Sequence, residues 1–256
     1  MKQNSTLTKV LFALLAAVFV LSCSLFTGGD APEPTKPPEK VSTEAPETEA
    51  PAATEAPVAT EAPATEAPDP AMDEFNALLQ KFDDKGYIST TEGEITTLSD
   101  FKEEWAQIGY FNYWTYDVTT SDEFVFKAHF NWSTASSTPD PSGCGVVFGL
   151  QDSGDYYVVF LTHDHIRFRL ARGGNLYEVG KTSGKGTTNF GNPAESEFAL
   201  AVSNQKAYVS VDGDVTTYTL SMDQTTAGAI ALSLRSGTNK DYGTRCEATE
   251  MFVWSR

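Results

Sequence analysis

Ten short segments between Phe124 and Trp254 alternate apolar and polar residues with a period of two. In the first of them, residues 124–131, every second side chain is Phe or Ala. The others begin near residues 145, 156, 165, 175, 197, 206, 214, 228 and 246, and turn residues such as Asp212-Gly213 separate them. The pattern is typical of half-buried strands. Because no long helix separates the strands, it predicts an all-β fold, an antiparallel sandwich.

One short helix is predicted ahead of the strands. Its apolar stripe has helical spacing and consists of Met72, Phe75, Leu78, Leu79 and Phe82. The stripe ends at Lys85-Gly86, and we expect this helix to pack on the domain without a chemical role. A second, shorter helical piece is predicted near residues 101–108. The predicted boundaries are 72–94 for the helix and its connector and 95–256 for the strand domain.

Three blocks of the sequence resemble a known family. They comprise residues 145–150 (GVVFGL), 155–161 (DYYVVFL) and 167–169 (RFR), then 198–202 (FALAV) and 208–213 (YVSVDG), then 227–232 (AGAIAL) and 251–254 (MFVW). In this order they look like the concanavalin A-like or laminin G-like jelly roll, especially the bacterial branch related to 3-keto-disaccharide hydrolase domains. The resemblance implies a two-sheet jelly-roll sandwich. It leaves the activity open, since this fold carries lectins, glycan hydrolases, protein-binding modules and spacers.

The first 23 residues have the pattern of an export signal. Lys2 and Lys9 flank the start of twelve unbroken apolar residues that end at Leu21, a run too short to span a bilayer. Residues 20–23 resemble a bacterial lipobox, which implies that Cys23 is lipidated. We therefore expect a lipoprotein anchored to the cell membrane or outer membrane on its extracytoplasmic side. An ordinary signal peptide with an incidental cysteine is the alternative.

Residues 24–71 have a different composition. Thr-Glu-Ala-Pro occurs five times, ending at Pro46, Pro51, Pro57, Pro63 and Pro68. Between Ser24 and Met72 there are ten acidic and two basic residues. So little apolar surface cannot offset the entropy of ordering the chain, and proline with like charges extends it. We predict a disordered acidic linker that holds the domain away from the membrane.

The charge balance excludes one class of partner. The chain has a formal net charge of −17, and residues 73–256 alone have 14 Lys and Arg against 25 Asp and Glu. Because nucleic acid phosphates select for basic surfaces, no nucleic acid partner is expected. Cys144 and Cys246 are the thiols of the strand domain, and export to an oxidising compartment favours a structural disulfide between them. Two separate buried thiols are the alternative.

A basic surface is the first candidate binding site. If alternate residues face the core, Lys127 and His129 face outward from one strand, and Arg167 and Arg169 face outward from another. Tyr156 and Phe160 have outward parity too, so the six side chains form a predicted face for sugar rings, carboxylates or hydroxyls. The alternatives are pairing with nearby acids or cover by the helix. The loop of residues 236–243, with Asn239, Asp241 and Tyr242, is a second candidate.

Metal and catalytic patterns are weaker. The resemblance implies calcium held by loop acids, for which Asp152 and Asp155 are candidates, although Asp is common in turns anyway. His163-Asp164-His165 is interpreted as a solvated hairpin tip rather than a zinc site. Glu247 and Glu250 are three residues apart and so are expected on opposite sides of a strand.

We found no catalytic constellation in the sequence, and no cofactor other than calcium is predicted. The leading hypothesis is a non-catalytic domain that binds glycan or another extracellular ligand. The alternatives are a glycoside or 3-keto-disaccharide hydrolase and a protein-interaction or structural module of the envelope that binds a surface protein.

Overall fold

The computed structural model describes residues 69–180 and 186–256. The predicted export signal, Cys23 and the Thr-Glu-Ala-Pro repeats lie outside the described residues. Within the described ranges, no helix has the length and apolar character needed to cross a bilayer.

Helix α1 runs from Pro70 to Asp84. Asp69 caps its N-terminus, because the side chain accepts a hydrogen bond of 3.0 Å from the backbone N–H of Ala71. Pro70 occupies the first turn, where no intrahelical N–H partner is lost. The helix ends at the predicted Lys85-Gly86, and Gly86 has a φ of 67° that a glycine adopts without strain.

Thirteen strands follow in the described part of the chain. They are β1 (Glu94–Thr97), β2 (Phe101–Trp105), β3 (Phe111–Thr120), β4 (Phe124–Thr134), β5 (Gly143–Leu150), β6 (Tyr156–Thr162), β7 (Ile166–Arg172), β8 (Asn175–Glu178), β9 (Ala194–Ser203), β10 (Lys206–Val211), β11 (Asp214–Thr219), β12 (Gly228–Arg235) and β13 (Thr244–Ser255).

The strands form two antiparallel sheets. The first sheet has the order β1-β13-β4-β9-β10-β11, with β2 also paired to β13, and the second has the order β3-β12-β5-β6-β7-β8. Neighbours in space are often distant in sequence, as with β13 between β1 and β4. This confirms the prediction of an all-β, antiparallel two-sheet jelly-roll sandwich with one short helix at its N-terminal end.

The main core fills the space between the sheets. Phe126 and Phe130 of β4 point into it, as do Phe168 of β7 and Leu232 of β12, and each is buried. These are the positions that the period of two assigns to the inside. The alternation therefore predicted which side of each strand is buried, because successive side chains of a strand point to opposite faces.

Two predictions about local structure are wrong. Residues 101–105 form strand β2, not part of a helix, because they pair with residues 244–248 of β13. Strand β3 was not predicted at all. Its sequence from Phe111 to Val118 has large apolar residues on both sides, so it shows no clean alternation.

Helix α1 covers the outer side of the first sheet. Phe75, Leu79 and Phe82 are buried there, in one cluster with Val125 of β4 and Phe252 of β13. The Phe75 and Phe252 rings stack with centroids 5.2 Å apart. The helix is thus a packing element, as its stripe predicted.

A disulfide joins the two sheets. Cys144 lies on β5 of the second sheet and Cys246 on β13 of the first, with Cα atoms 5.7 Å apart. Both residues are fully buried in the main core. The bond closes a loop with a sequence separation of 102 residues and links the two layers of the sandwich.

Candidate functional site

The outer side of the second sheet, facing away from the core, holds an unusual set of side chains. We call it the aromatic–arginine face. It is lined by Phe111 and Tyr113 of β3, Tyr156 and Phe160 of β6, Arg167 and Arg169 of β7, and Arg235 of β12.

Small residues form the floor of this face. Ala231 and Ser233 of β12 and Gly145 of β5 occupy the middle strands and are buried. A Cβ at Gly145 would lie 2.7 Å from Cδ1 of Phe160, so glycine at this position makes room for the ring. Because the side chains of the floor are small, long side chains from the flanking strands can meet above it.

The aromatic rings converge across the floor. Phe111 and Phe160 belong to strands separated by β12 and β5, a spacing of about 14 Å between backbones, yet their ring centroids are 5.1 Å apart. Tyr156 contacts Tyr113 with a centroid distance of 5.4 Å and Phe111 with 6.5 Å, both edge to face. Burial raises the pKa of Tyr156. The tyrosines remain partly exposed and present ring surface to solvent.

Three arginines stand around these rings. Arg167 lies opposite Phe160 in the β6–β7 pairing, Arg169 lies opposite Val158, and Arg235 lies opposite Phe111 in the β3–β12 pairing. Burial and then the charges of Arg167 and Arg169 lower the pKa of Arg235. Arg235 therefore lies within electrostatic range of the other two arginines.

The three arginines differ in their partners. Arg167 donates to Asp164 at 3.2 Å, and Arg169 to Glu178 at 3.0 Å. The side chain of Arg235 forms no hydrogen bond or ion pair with any described residue. The Nε atoms of Arg167 and Arg235 are both buried without a hydrogen-bond partner in the described part of the chain.

The single basic surface predicted from the sequence does not exist. Lys127 and His129 lie on β4 of the first sheet, whereas Arg167 and Arg169 lie on β7 of the second. The prediction failed because alternation assigns each side chain to a face of its own strand, but only tertiary structure assigns that strand to a sheet.

Lys127 and His129 are occupied by carboxylates. Lys127, whose side chain is 8% exposed, lies 3.4 Å from both Glu74 of α1 and Glu250 of β13. His129 bonds to Glu197 at 2.6 Å through Nδ1 and to Glu195 at 3.0 Å through Nε2. Lys127 is thus paired across the contact between helix and first sheet, and His129 is paired with β9. Pairing with nearby acids is one of the alternatives that the sequence leaves open.

The predicted loop site lies at one end of the aromatic–arginine face. Asn239 accepts a 2.6 Å hydrogen bond from the backbone N–H of Ile108, which ties its loop to the segment before β3. Tyr242 stacks under Arg245 at 4.3 Å, and Asp241 is exposed with a φ of 47°. Ile108 and Tyr110, at 56% and 62% exposure, are large apolar side chains of the segment before β3.

The sequence predicts Tyr156, Phe160, Arg167 and Arg169 on this face. It gives no prediction for Phe111, Tyr113 and Arg235. Arg235 has the parity of Ala231 and Ser233, opposite to the buried Leu232 and Leu234, so the rule used for β7 would have found it. The two aromatic residues of β3 gave no comparable signal, because β3 itself was not predicted.

The histidine pair does not form a solvated hairpin tip. His163 is 2% exposed and packs edge to face on Trp132, with ring centroids 5.6 Å apart. Burial lowers the pKa of His163. His165 instead bonds to Asp164 at 2.7 Å. The expectation of solvation was wrong for His163 because the loop leading to Phe190 covers it, with the Phe190 carbonyl 3.4 Å from Nδ1.

Asp152 and Asp155, the calcium candidates, lie in the turn between β5 and β6. Asp155 uses Oδ1 to accept a 2.9 Å hydrogen bond from the backbone N–H of Gly173. Calcium takes six to eight oxygen ligands. Among the described residues, no three His, Cys, Asp or Glu side chains meet in an arrangement for a metal ion.

Glu247 and Glu250 are on the same side of β13, contrary to the expectation. Glu247 pairs with Lys102 on the outer side of the first sheet, and Glu250 reaches Lys127 on that side. The register shifts between Thr249 and Phe252, and Glu250 has a φ of 49°. This bulge inserts an extra residue and so resets the alternation.

No protein-family model matches the chain, and no curated protein sequence matches it either. Solved structures do show similarity. The carbohydrate-binding module CBM66 from Bacillus subtilis has 9% identity and a TM-score of 0.45, with 64% of this chain and 98% of that chain covered. Sheep galectin-11 has 12% identity and a TM-score of 0.35 over 55% and 98% of the two chains. The Bacillus licheniformis beta-glucanase has 9% identity and a TM-score of 0.36 over 55% and 69%.

Proposed function

We propose that this domain binds glycan, without catalysis, through the aromatic–arginine face. The observation that carries the proposal is the convergence of partly exposed tyrosine rings with three arginines on one face of a sheet. Aromatic rings stack on the apolar faces of sugars, and guanidinium groups donate fixed pairs of hydrogen bonds to their oxygens. Tyr113 and Tyr156 provide the rings, and Arg167, Arg169 and Arg235 provide the donors.

The position of these groups on strands supports binding. Each arginine and tyrosine of the face belongs to a hydrogen-bonded strand, not to a loop. Binding groups on rigid elements need little ordering when the ligand arrives, which lowers the cost of association.

The absence of a carboxylate pair at the centre of the face supports binding rather than hydrolysis. Glycosidases use two carboxylic acids on either side of the scissile bond. The side chains level with Arg167 across the described sheet are Phe160, Gly145, Ser233 and Tyr113, none of which is acidic.

The remainder of the proposal concerns location. We include lipid anchoring through Cys23, with the Thr-Glu-Ala-Pro linker holding the domain on the extracytoplasmic side of the membrane. The apolar run from Val10 to Leu21 before Ser22-Cys23 and the five repeats support this part. Metabolic labelling of the expressed protein with a fatty acid, compared with the Cys23→Ala variant, tests the anchor.

A glycan array tests the binding. The full-length protein is screened with calcium and then with a chelator, and binding of at least one glycan is expected in both conditions. Tyr156→Ala should weaken that binding by about tenfold, since one stacked aromatic ring contributes on the order of 1 kcal/mol. Silence of the whole array would contradict the proposal and favour a protein-interaction module, and turnover of a sugar substrate would favour a hydrolase.

A further inference from the structure

Arg235 is the group of the aromatic–arginine face that the fold leaves unpaired. It is partly buried and is the cross-strand partner of Phe111. Its side chain has no ion pair or hydrogen bond with any described residue. A desolvated cation without a counter-charge is costly, since burial penalises the charged form. A binding partner that supplies negative charge would remove that cost.

The side chains around Arg235 do not supply the charge. The residues level with it across the sheet are Phe111, Gly143 and Thr162. The residues level with Arg167 are likewise without a carboxylate. Of the acids near this side of the sheet, Asp164 in the β6–β7 turn is paired with Arg167 and Glu178 of β8 with Arg169, and the exposed Asp117 of β3 forms no ion pair with a described residue.

The cationic character of this face contrasts with the rest of the domain. Residues 73–256 carry 25 Asp and Glu against 14 Lys and Arg. On the outer side of the first sheet the cation Lys127 lies near three glutamates, Glu74, Glu197 and Glu250. On the outer side of the second sheet, Arg167, Arg169 and Arg235 stand against three acids, Asp117 of β3, Glu178 of β8 and Asp164 of the β6–β7 turn, so this side lacks the excess of acids that the domain has as a whole.

From this contrast we infer that the glycan bound by the aromatic–arginine face is anionic, and that Arg235 binds its carboxylate or sulfate group. The inference rests on the proposed function, because it names the class of ligand for the same face. The planar guanidinium suits either anion, as both present two oxygens to paired N–H donors. A tyrosine ring at the opposite side of the floor then stacks on the sugar that carries the anion.

Matched glycan pairs test this inference with the full-length protein. The probes are polygalacturonate and its methyl ester, and dextran sulfate and unmodified dextran, and the measurement is the Kd at fixed ionic strength. The charged member of at least one pair should bind about tenfold or more tightly than its neutral counterpart. The polygalacturonate pair tests a carboxylate, and the dextran sulfate pair tests a sulfate. The acidic domain repels polyanions in general, so such a preference cannot come from bulk charge.

The Arg235→Gln variant assigns the preference to one residue. It should reduce the charged-to-neutral ratio toward one, because it weakens binding of the charged member more than binding of the neutral member. Arg172→Gln is the matched control, because Arg172 is an exposed arginine of β7 on the opposite parity to Arg167 and Arg169. It removes the same charge from another strand of the same sheet and should leave the ratio as it is.

The outcomes separate the two proposals. Equal affinity for the charged and neutral members would overturn the anionic ligand and leave glycan binding intact. Equal weakening of both members by Arg235→Gln would likewise overturn the anionic ligand and leave glycan binding intact. An absence of binding to all four probes and to the array would overturn both proposals. A thermal melt of each variant shows that its fold is retained.

Discussion

Arg235 and Phe111 are direct cross-strand partners at one end of the second sheet, and the charge of the arginine is not neutralised by any described acid. A partly buried cation without a counter-charge, near the charges of Arg167 and Arg169, destabilises the folded domain in the absence of ligand. Functional sites often carry such a cost, since the groups that bind a ligand are not those that maximise stability.

Replacing this arginine by an apolar residue should therefore stabilise the free domain. We expect Arg235→Leu to raise the free energy of unfolding by about 0.5–2 kcal/mol, because it removes the partly buried, unpaired charge beside Phe111. Urea denaturation measures this difference. Arg172→Leu at an exposed position is the control and should be close to neutral, and a loss of stability in Arg235→Leu would show that its charge is satisfied in the free protein.

The tyrosines of the face should affect binding more than stability. Tyr113→Ala is expected to weaken glycan binding by about tenfold, as the loss of one stacked ring, for charged and neutral glycans alike. The Kd for a glycan found on the array measures the effect. Tyr177→Ala is the control, because Tyr177 is 53% exposed on β8 of the same sheet but pairs with the inward-facing Leu170. An equal effect of both variants would place the binding surface elsewhere.

Removal of the disulfide should destabilise the domain strongly. The bond between Cys144 and Cys246 spans 102 residues. Chain-entropy arguments give about 4–5 kcal/mol for a loop of roughly 100 residues. We expect a loss on that order when the denaturation of the Cys144→Ala/Cys246→Ala variant is compared with that of the oxidised protein. Reductant should lower the stability of the wild type and leave the variant unchanged; a variant as stable as the oxidised protein would refute the prediction.

Helix α1 should be required for stability because it closes the outer side of the first sheet. Phe75→Ala removes a fully buried ring that stacks on Phe252 and should cost about 3–5 kcal/mol. Asn76→Ala, at the neighbouring exposed position, should change stability by less than about 0.5 kcal/mol. Thermal unfolding of both variants checks this. Similar melting temperatures would mean that the helix is not docked on the sheet.

Asp122 should make stability depend on pH. Its Oδ1 accepts hydrogen bonds from the hydroxyl of Thr226 at 2.9 Å, from the backbone N–H of Thr226 at 3.1 Å and from that of Ala227 at 3.0 Å. The hydroxyl bond of Thr226 is the largest cause that lowers the pKa of Asp122 below its ordinary 3.8, against the opposing effect of burial. Because the pKa is lower in the folded state, the carboxylate stabilises the fold above about pH 4 and loses this contribution as the pH falls through the folded pKa.

The Asp122→Asn variant tests this linkage. It should be less stable than the wild type by about 1 kcal/mol at pH 7, a modest value because the side chain is exposed to solvent. The difference should shrink toward zero as the pH is lowered below 4. Asp117→Asn, at an exposed position of β3 without a hydrogen bond to a described residue, should show no such dependence. A difference that is constant from pH 7 to pH 3 would mean that the charge of Asp122 is not the stabilising feature.

Much of the fold could be predicted because alternation is a local property. The period of two placed Phe168 inside and Arg167 outside without any knowledge of the partner strand, and the structure has both there. Strand β2 was assigned to a helix because five residues are too few to show a period, and its pairing with β13 decides its conformation. The bulge near Glu250 defeated the same rule over a distance of three residues.

The candidate site was predicted in part for the same reason. Arg167 and Arg169 were found from their own strand, but they were combined with Lys127 and His129, which belong to the other sheet. Membership of a sheet depends on contacts between residues far apart in the chain, such as those of β12 with β3 and β5. No pattern within one segment contains that information.

The sequence by itself determined the class of fold, the helix at Pro70–Asp84 and the side of most strands that is buried, since each follows from spacing within a single element. Tertiary structure alone decided which outward residues share a surface. It placed Lys127 among glutamates under helix α1 and brought Arg235 beside Phe111 within the aromatic–arginine face. The physical reason is that the alternation of side chains follows from the geometry of a single strand, whereas the order of strands in two sheets depends on the packing of the whole core.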